Sequence, residues 1–310
     1  MKRAGVPILL LLCVCVFAGP AARASIGAKD DKNVWQLLDF KEREIIEKLG
    51  ITTETSQRMG VGIMQNALTR HEDPEVRATC AKILGRFKAK SASVALIWAL
   101  KDENVEVRKS AAQALGVLQD RRALQPLAQL LKKESDWAMR WTVVVAMRAM
   151  GDRRAAPLLI EPLMKDPDWR VRKEAAVTLG ALLDKRATKH LAQALSDPHE
   201  AVRAAAAGAL GALKDKRALD ALIEALKDKD PTMRATAASA LGALGSRKAV
   251  AGLIECLNDE NATVRANSAG ALGLLGSSRA IKPLEALAEG DANPQVRQVS
   301  AAAITQIKAH

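Results

Sequence analysis

The stretch DPHEAVRAAAAGALGALKDKRALDALIEAL, Asp197 to Leu226, is one copy of a unit that fills most of the chain. Its first half predicts a helix, because apolar residues recur along one face at Val202, Ala206, Leu210 and Leu213. A polar turn follows, in which Asp215 is placed to cap a second helix. The apolar stripe of that helix is Leu219, Leu222, Ile223 and Leu226. One such hairpin cannot bury both of its faces, so copies must stack on one another.

Arginines in a Val-Arg or Met-Arg pair recur with the period of this unit. They are Arg77, Arg108, Arg140, Arg172, Arg203, Arg234, Arg265 and Arg297. A nearly constant period of about 31 residues is typical of a solenoid. Aromatic residues make up only 3% of the chain, so Ala and Leu must fill the core. The predicted fold is all-α, a solenoid of stacked two-helix repeats of about 31 residues.

Two further residue types keep the phase of the arginines. An acid stands six residues earlier in seven of eight copies, namely Asp102, Glu134, Asp166, Asp197, Asp228, Asp259 and Asp291, with His71 in the first copy. We expect these acids to form a structural ladder with the arginines, Arg108, Arg172, Arg203, Arg234 and Arg265 among them. Glycine stands eight residues after six of the arginines, at Gly85, Gly116, Gly180, Gly211, Gly242 and Gly273. Because glycine destabilises a helix by up to ~1 kcal/mol relative to alanine, its recurrence indicates close helix approach or a helix end.

The pattern D-P-x-x-x-V-R-x-x-A-A-x-x-L-G, followed by D-K/R-R-A-L-x-x-L-I-x-A-L, resembles the HEAT repeats, in particular the short HEAT-like repeats of phycobilisome lyases. The likeness covers residues 71 to 307. It implies a right-handed α-solenoid whose second helices line the concave face. We divide the chain into a cleaved signal peptide at 1–24, a linker with N-terminal capping helices at 25–70, and a solenoid at 71–310. The solenoid comprises seven full repeats and a C-terminal half repeat.

The chain begins with a segment, 1–24, that has the three parts of an export signal. After a basic start, an apolar run extends from Val6 to Ala18, and Ala22-Arg23-Ala24 is an A-x-A cleavage site. A membrane anchor needs ~20 apolar residues, more than this run contains, so we expect cleavage, no remaining transmembrane anchor, and a periplasmic or secreted protein. Cleavage lowers the net charge from +12 to +9. Cys80 and Cys256 remain, too many repeats apart for a disulfide, and we expect both in the core.

Catalytic motifs are missing from the sequence. Deoxyhypusine hydroxylase is a HEAT-like di-iron protein with several His-Glu pairs, but this chain has only His71-Glu72 and His199-Glu200, in different registers of distant repeats. Four histidines in all are too few for such a site. There is no G-x-S-x-G, G-x-x-x-x-G-K-S/T, C-x-x-C or H-E-x-x-H motif. We therefore predict no catalysis, metal or cofactor. The alternative is a cofactor-attachment (lyase-like) or chaperone-type factor with a pocket on its concave face.

The tryptophans mark a region that departs from the regular repeat. All five lie in the N-terminal part of the chain, at Trp35, Trp98, Trp137, Trp141 and Trp169. Trp137 and Trp169 hold the same position in adjacent repeats, and Arg148 stands where the recurring glycine is expected. Exposed Trp and Arg often anchor interfaces. We predict that a protein or peptide partner binds at Trp98, Trp137, Trp141, Arg148 and Trp169; the alternative is that these rings only fill gaps between Ala-rich helices.

Basic residues occupy the turns inside the repeats, at Lys88, Lys90, Arg121, Arg122, Arg153, Arg154, Lys185, Arg186, Lys216, Arg217, Arg247, Lys248 and Arg279. Stacking would align them along one edge, which could contact an anionic cell-envelope surface. Nucleic acid is a less favoured partner, since capping aspartates accompany most of the pairs and no aromatic residues alternate with them for base stacking. We expect a monomeric scaffold on which this edge is solvated.

Overall fold

The computed structural model of the protein describes residues 38–51 and 57–309, without the side chains of residues 57–59. The predicted signal peptide, residues 25–37 of the linker and Trp35 lie outside the described residues. Within them the chain forms seventeen α-helices and no strand, which confirms the all-α prediction.

Two helices, α1 (Phe40–Lys48) and α2 (Gln57–Arg70), precede the repeats. The first helices of the repeats are α3 (Pro74–Arg86), α5 (Val105–Leu118), α7 (Trp137–Met150), α9 (Trp169–Leu182), α11 (Glu200–Leu213), α13 (Pro231–Leu244) and α15 (Ala262–Leu275). The second helices are α4 (Ser93–Ala99), α6 (Leu124–Lys133), α8 (Ala156–Lys165), α10 (Thr188–Ala194), α12 (Leu219–Ala225), α14 (Val250–Glu255) and α16 (Ile281–Gly290). A last helix, α17 (Pro294–Lys308), packs on α15 and α16 as a further first helix.

Local side-chain chemistry sets the limits of the first helices. Asp136 accepts hydrogen bonds from the N–H groups of Ala138 and Met139 and so starts α7. Gly151 ends that helix in the left-handed conformation, with φ of 63°. After α9 the same conformation is taken by Leu183, with φ of 54°. An L residue is destabilised by roughly 1–2 kcal/mol in this conformation, so the turn after α9 is strained.

The recurring glycines lie where first helices of neighbouring repeats touch. A Cβ atom added to Gly211 would stand 2.9 Å from the Cα atom of Ala240 on α13. The other five glycines face an alanine of the next first helix in the same way, with a Cβ placed 2.7 to 3.0 Å from it: Gly85, Gly116, Gly180, Gly242 and Gly273. Close helix approach, and not a helix end, therefore explains the glycine column.

The first helices form the tighter of the two layers of the stack. Neighbouring first helices come into close contact along their lengths, whereas neighbouring second helices make few close contacts with each other. A stack whose units are closer on one side curves toward that side. The first helices therefore line the concave face, and the expectation that the second helices do so is wrong. Its physical reason is the Gly–Ala contact, which only the first helices have.

One continuous apolar core runs along the stack from Leu38 to Ile307. Cys80 and Cys256 are free thiols buried within it. Burial raises the pKa of the Cys80 thiol to about 12, so it stays protonated at neutral pH. Among the residues described, no helix has both the length and the apolar content needed to cross a membrane.

Candidate partner-binding site

Each arginine of the ladder joins two repeats. The Nε and Nη2 groups of Arg172 donate to the carboxylate of Asp197 at 2.7 and 3.0 Å, and Nη1 donates to the carbonyl of Asp166 at 2.8 Å. The other rungs pair Arg77 with Asp102, Arg108 with Glu134, Arg140 with Asp166, Arg203 with Asp228, Arg234 with Asp259 and Arg265 with Asp291. Each acid thus gives its carbonyl to the arginine of its own repeat and its carboxylate to the arginine of the preceding one. The ion pairs of the ladder link consecutive repeats. Their arginines and acids are paired with one another.

Trp137 and Trp169 belong to a stacked column that spans three repeats. The guanidinium carbon of Arg170 lies 3.3 Å from the centroid of the Trp137 ring and 6.0 Å from that of Trp169. On its other side Trp169 stacks on His199, with ring centroids 3.8 Å apart and an interplanar angle of 8°. Asp168 holds the guanidinium through a 2.6 Å ion pair. Cation–π attraction and stacking thus fix the rings of this aromatic column, Trp137–Arg170–Trp169–His199.

Trp141 and Arg148 lie beside a buried carboxylate. Both project from α7 toward Glu174 on α9, and Arg148 Nη1 stands 2.7 Å from Glu174 Oε1. That oxygen is buried and has no hydrogen bond of good geometry. Burial raises the pKa of Glu174, while attraction to Arg148 and Lys173 and hydrogen bonding from Trp141 partly oppose the rise. The carboxylate is therefore incompletely satisfied by its neighbours.

The contact of α7 with α9, here called the seam, departs from the packing of the other first helices. Arg148 takes the place of the glycine, and Thr178 takes the place of the alanine that the glycine meets elsewhere. Of the neighbouring first-helix pairs from α3 to α17, α7 and α9 have the fewest close approaches. The Thr178 hydroxyl is buried without a hydrogen-bond partner. The sequence showed that Arg148 replaces the recurring glycine, but it did not point to Thr178 or Glu174. Thr178 could have been found from the sequence, because the other first helices from α5 to α17 have alanine at its position.

The structure brings together four of the five predicted anchors. Trp137, Trp141, Arg148 and Trp169 surround the seam, and the residues Trp137 and Trp141 are 36% and 38% exposed. Trp98 lies apart from them. It projects from the second helix α4, is 64% exposed, and has Lys101 Nζ 5.1 Å from its ring centroid. Trp98 belongs to a nearby repeat, but it lies on a second helix, and the second helices form the layer opposite the site.

The basic edge is partly neutralised by the aspartates that cap its turns. Ion pairs of 2.5 to 2.7 Å join Arg122 to Asp120, Arg154 to Asp152, Arg186 to Asp184 and Arg217 to Asp215. The guanidinium of Arg154 holds the pKa of Asp152 at about 2. In the last two full repeats Ser246 and Ser277 replace the acid and make no capping hydrogen bond. The edge is therefore less positive in its middle than its basic residues alone indicate.

A group of metal ligands and a cavity are two further features that could mark a functional site in the part of the chain that the structure describes. No group of three or more His, Cys, Asp or Glu side chains in residues 38–51 and 57–309 could hold a metal ion. An open cavity of about 410 Å³ lies between α1 and the first turns of α3 and α5. It borders the concave face, where Ala78, Thr79 and Lys82 contribute to its wall.

Comparison with protein families matches HEAT repeats in overlapping segments at residues 63–148, 94–180, 125–196, 156–232, 188–263 and 219–305. Together these segments span residues 63 to 305, most of the chain. The protein belongs to the HEAT-repeat family, as its sequence pattern predicts. A search of curated protein sequences returned no match.

Solved structures with the same fold include the Escherichia coli protein YibA, which is 20% identical with a TM-score of 0.57 and covers 88% of this chain and 98% of its own. Kap95p, solved bound to RanGDP, is 13% identical with a TM-score of 0.55 and covers 86% of this chain and 43% of its own. The phycocyanin lyase complex CpcE–CpcF of Nostoc sp. PCC7120 is 23% identical over 83% of this chain and 97% of its own, with a TM-score of only 0.44. At these identities the likeness to YibA and Kap95p shows the fold alone.

Proposed function

We propose that the protein is a non-catalytic scaffold that binds a protein or peptide partner on its concave face, at the seam between α7 and α9. The observation that carries this proposal is the coincidence of three features in one place. Two partly exposed tryptophans, a preformed aromatic column and the one departure from Gly–Ala packing among the described first helices all meet there. Trp and Arg supply large contact areas and are the residues on which interfaces most depend. Kap95p, which shares the fold, is an instance of a helical solenoid that holds a protein partner.

The regular repeats support the same assignment by contrast. In α11 the positions equivalent to Trp141 and Glu174 are Ala204 and Ala205, which offer little side chain to a partner. The geometry of the ladder continues through these repeats unchanged. The seam therefore differs from the rest of the stack in its surface and in the packing of its first helices, while the ladder crosses it unchanged through Arg140 and Asp166.

Partner capture with matched variants tests the proposal. The full chain and the variant W137A/W141A/W169A are used to capture proteins from a cell-envelope extract at low and at moderate salt. We expect the triple variant to lose the captured partner while keeping its helical circular dichroism. The matched control is W98A, which removes an equally large and more exposed ring from the opposite layer and should retain capture. Equal capture by the triple variant and the wild type would show that the partner does not bind at the seam. If the triple variant melts at a much lower temperature than the wild type, the three rings are core residues and the proposed site is wrong.

We also propose that the protein acts outside the cytoplasm, after cleavage between Ala24 and Ser25. The support is the sequence of segment 1–24, with its basic start, its apolar run and its A-x-A site. Expression of the full chain with a C-terminal tag, followed by fractionation and mass spectrometry of the N-terminus, tests this. Export and a mature start at Ser25 are expected. A cytoplasmic product that retains the residues before Ser25 would contradict it.

A further inference from the structure

Helix α1 shows what kind of segment the concave face accepts. It lies against α3, where the Glu42 carboxylate receives two hydrogen bonds from Arg86 at 2.7 and 2.8 Å, and Lys41 pairs with Glu75. Glu42 is 6% exposed. Arg86 stands nine residues after its ladder arginine, and the residues at that position in the next two repeats, Val117 and Ala149, are exposed. A carboxylate-bearing amphipathic helix thus already covers this face in the first repeat and leaves it open in the next two.

Beyond α1 the same face carries cations and an aromatic ring in register. Lys109, Trp141 and Lys173 each follow a ladder arginine directly, in three consecutive repeats. Lys173 is exposed and forms no ion pair within the described residues, and Lys109 reaches only Glu106, whose side chain is 63% exposed, at 3.0 Å and Asp136 at 4.0 Å. In the three following repeats this position holds Ala204, Ala235 and Ala266. At the position directly after the ladder arginine, cations and an aromatic ring are therefore confined to repeats two to four.

We propose that this row, Lys109, Trp141 and Lys173, binds an acidic amphipathic helix of the partner, laid on the concave face beside α1. Carboxylates of the helix meet the two lysines, and its apolar side chains cover the Trp141 ring against the aromatic column. At ~10 Å per stacked helix the two lysines are roughly 20 Å apart, a span that a helix of roughly 13 residues crosses at 1.5 Å per residue. Burial of one apolar face in a groove, with charges aligned beside it, is a common mode of helix recognition.

This inference rests on the proposed function and specifies the chemistry of the partner. The probe is a fluorescein-labelled 16-residue peptide of Leu, Ala and Glu, with Leu on one helical face and Glu on its flanks. Its counterpart has Lys in place of every Glu. Fluorescence anisotropy with the full chain should show binding of the Glu peptide and not of the Lys peptide. K109A/K173A should weaken binding by about tenfold, as expected for two partly exposed charge pairs. The matched control K216A/K248A, on the basic edge, should change it by less than twofold.

Selection from a library of displayed random 16-residue peptides separates the possible failures. Peptides are selected on the wild-type chain and then rescreened on W137A/W141A/W169A. Tryptophan-dependent binders that are rich in Asp and Glu on an amphipathic helix support the inference. Tryptophan-dependent binders without that composition, or equal binding of the Lys and Glu peptides, overturn it and leave the proposed function standing. A selection that yields no tryptophan-dependent binder overturns both.

Discussion

Two glycines of α11 allow the packing of the first helices to be tested within one helix. Both Gly208 and Gly211 lie inside the helix, so alanine should gain about 1 kcal/mol of helix propensity at either position. A Cβ atom on Gly208 would lie 3.8 Å from the Thr236 methyl group, an ordinary contact, and Gly208 is exposed. A Cβ atom on Gly211 would lie 2.9 Å from both Cα and Cβ of Ala240. Because the second contact is with backbone, α11 and α13 must move apart.

We therefore expect G208A to raise the free energy of unfolding by about 1 kcal/mol. In G211A the same gain is opposed by overpacking of about 1–3 kcal/mol, so that variant should be neutral or less stable than the wild type by up to about 2 kcal/mol. Urea denaturation followed by circular dichroism gives both values. Hydrogen exchange should show faster opening of α11 and α13 in G211A alone. If G211A stabilises the protein as much as G208A does, the first helices are not in backbone contact and the assignment of the concave face loses its basis.

Three further predictions concern the ladder, the acid response and a strained turn. R203A should lower the free energy of unfolding by about 3–5 kcal/mol, because the carboxylate of Asp228 loses its buried partner. The side chain of Arg217 is 67% exposed, so R217A should lower the free energy of unfolding by less than about 1 kcal/mol. Urea denaturation of the two variants measures both effects. Arg154 and Arg170 lower the pKa values of Asp152 and Asp168 to about 2. The two ion pairs therefore contribute fully to stability above the unfolded pKa of about 4, and this contribution is lost as pH falls through 2. The urea midpoint should fall between pH 6 and pH 2, and a midpoint that does not change over this range would contradict the pairing. L183G should stabilise the protein by about 1 kcal/mol in thermal or urea unfolding, because glycine accepts the positive φ of this residue, while L183A should bring no such gain.

The sequence predicted the repeat architecture because its signals are periodic and local. The spacing of Arg172, Arg203 and their equivalents fixed the phase of every helix pair, and the apolar stripes gave the helix faces. Contacts between repeats were harder to predict, since they join residues that are far apart in the chain. For this reason the sequence showed that Arg148 replaces a glycine but not that Thr178 and Glu174 face it across the seam. The resemblance to HEAT repeats implied that the second helices line the concave face, and this was wrong because curvature depends on the relative spacing of the two layers.

The seam also has a mechanical consequence. In a solenoid each repeat contacts only its neighbours, so the flexibility of the whole stack is the sum of the flexibilities of its joints. Bending is therefore largest at the most flexible joint. Six of the seven joints between consecutive first helices from α3 to α17 are clamped backbone to backbone by glycine and alanine, and the joint between α7 and α9 is spaced by the side chains of Arg148 and Thr178. The stack then behaves as two stiff arms that share one elastic joint, with α3 to α7 on one side and α8, which packs on α9, to α17 on the other. A ligand that binds across this joint would stiffen it. Binding would then change the curvature of the stack and so the distance between its two ends.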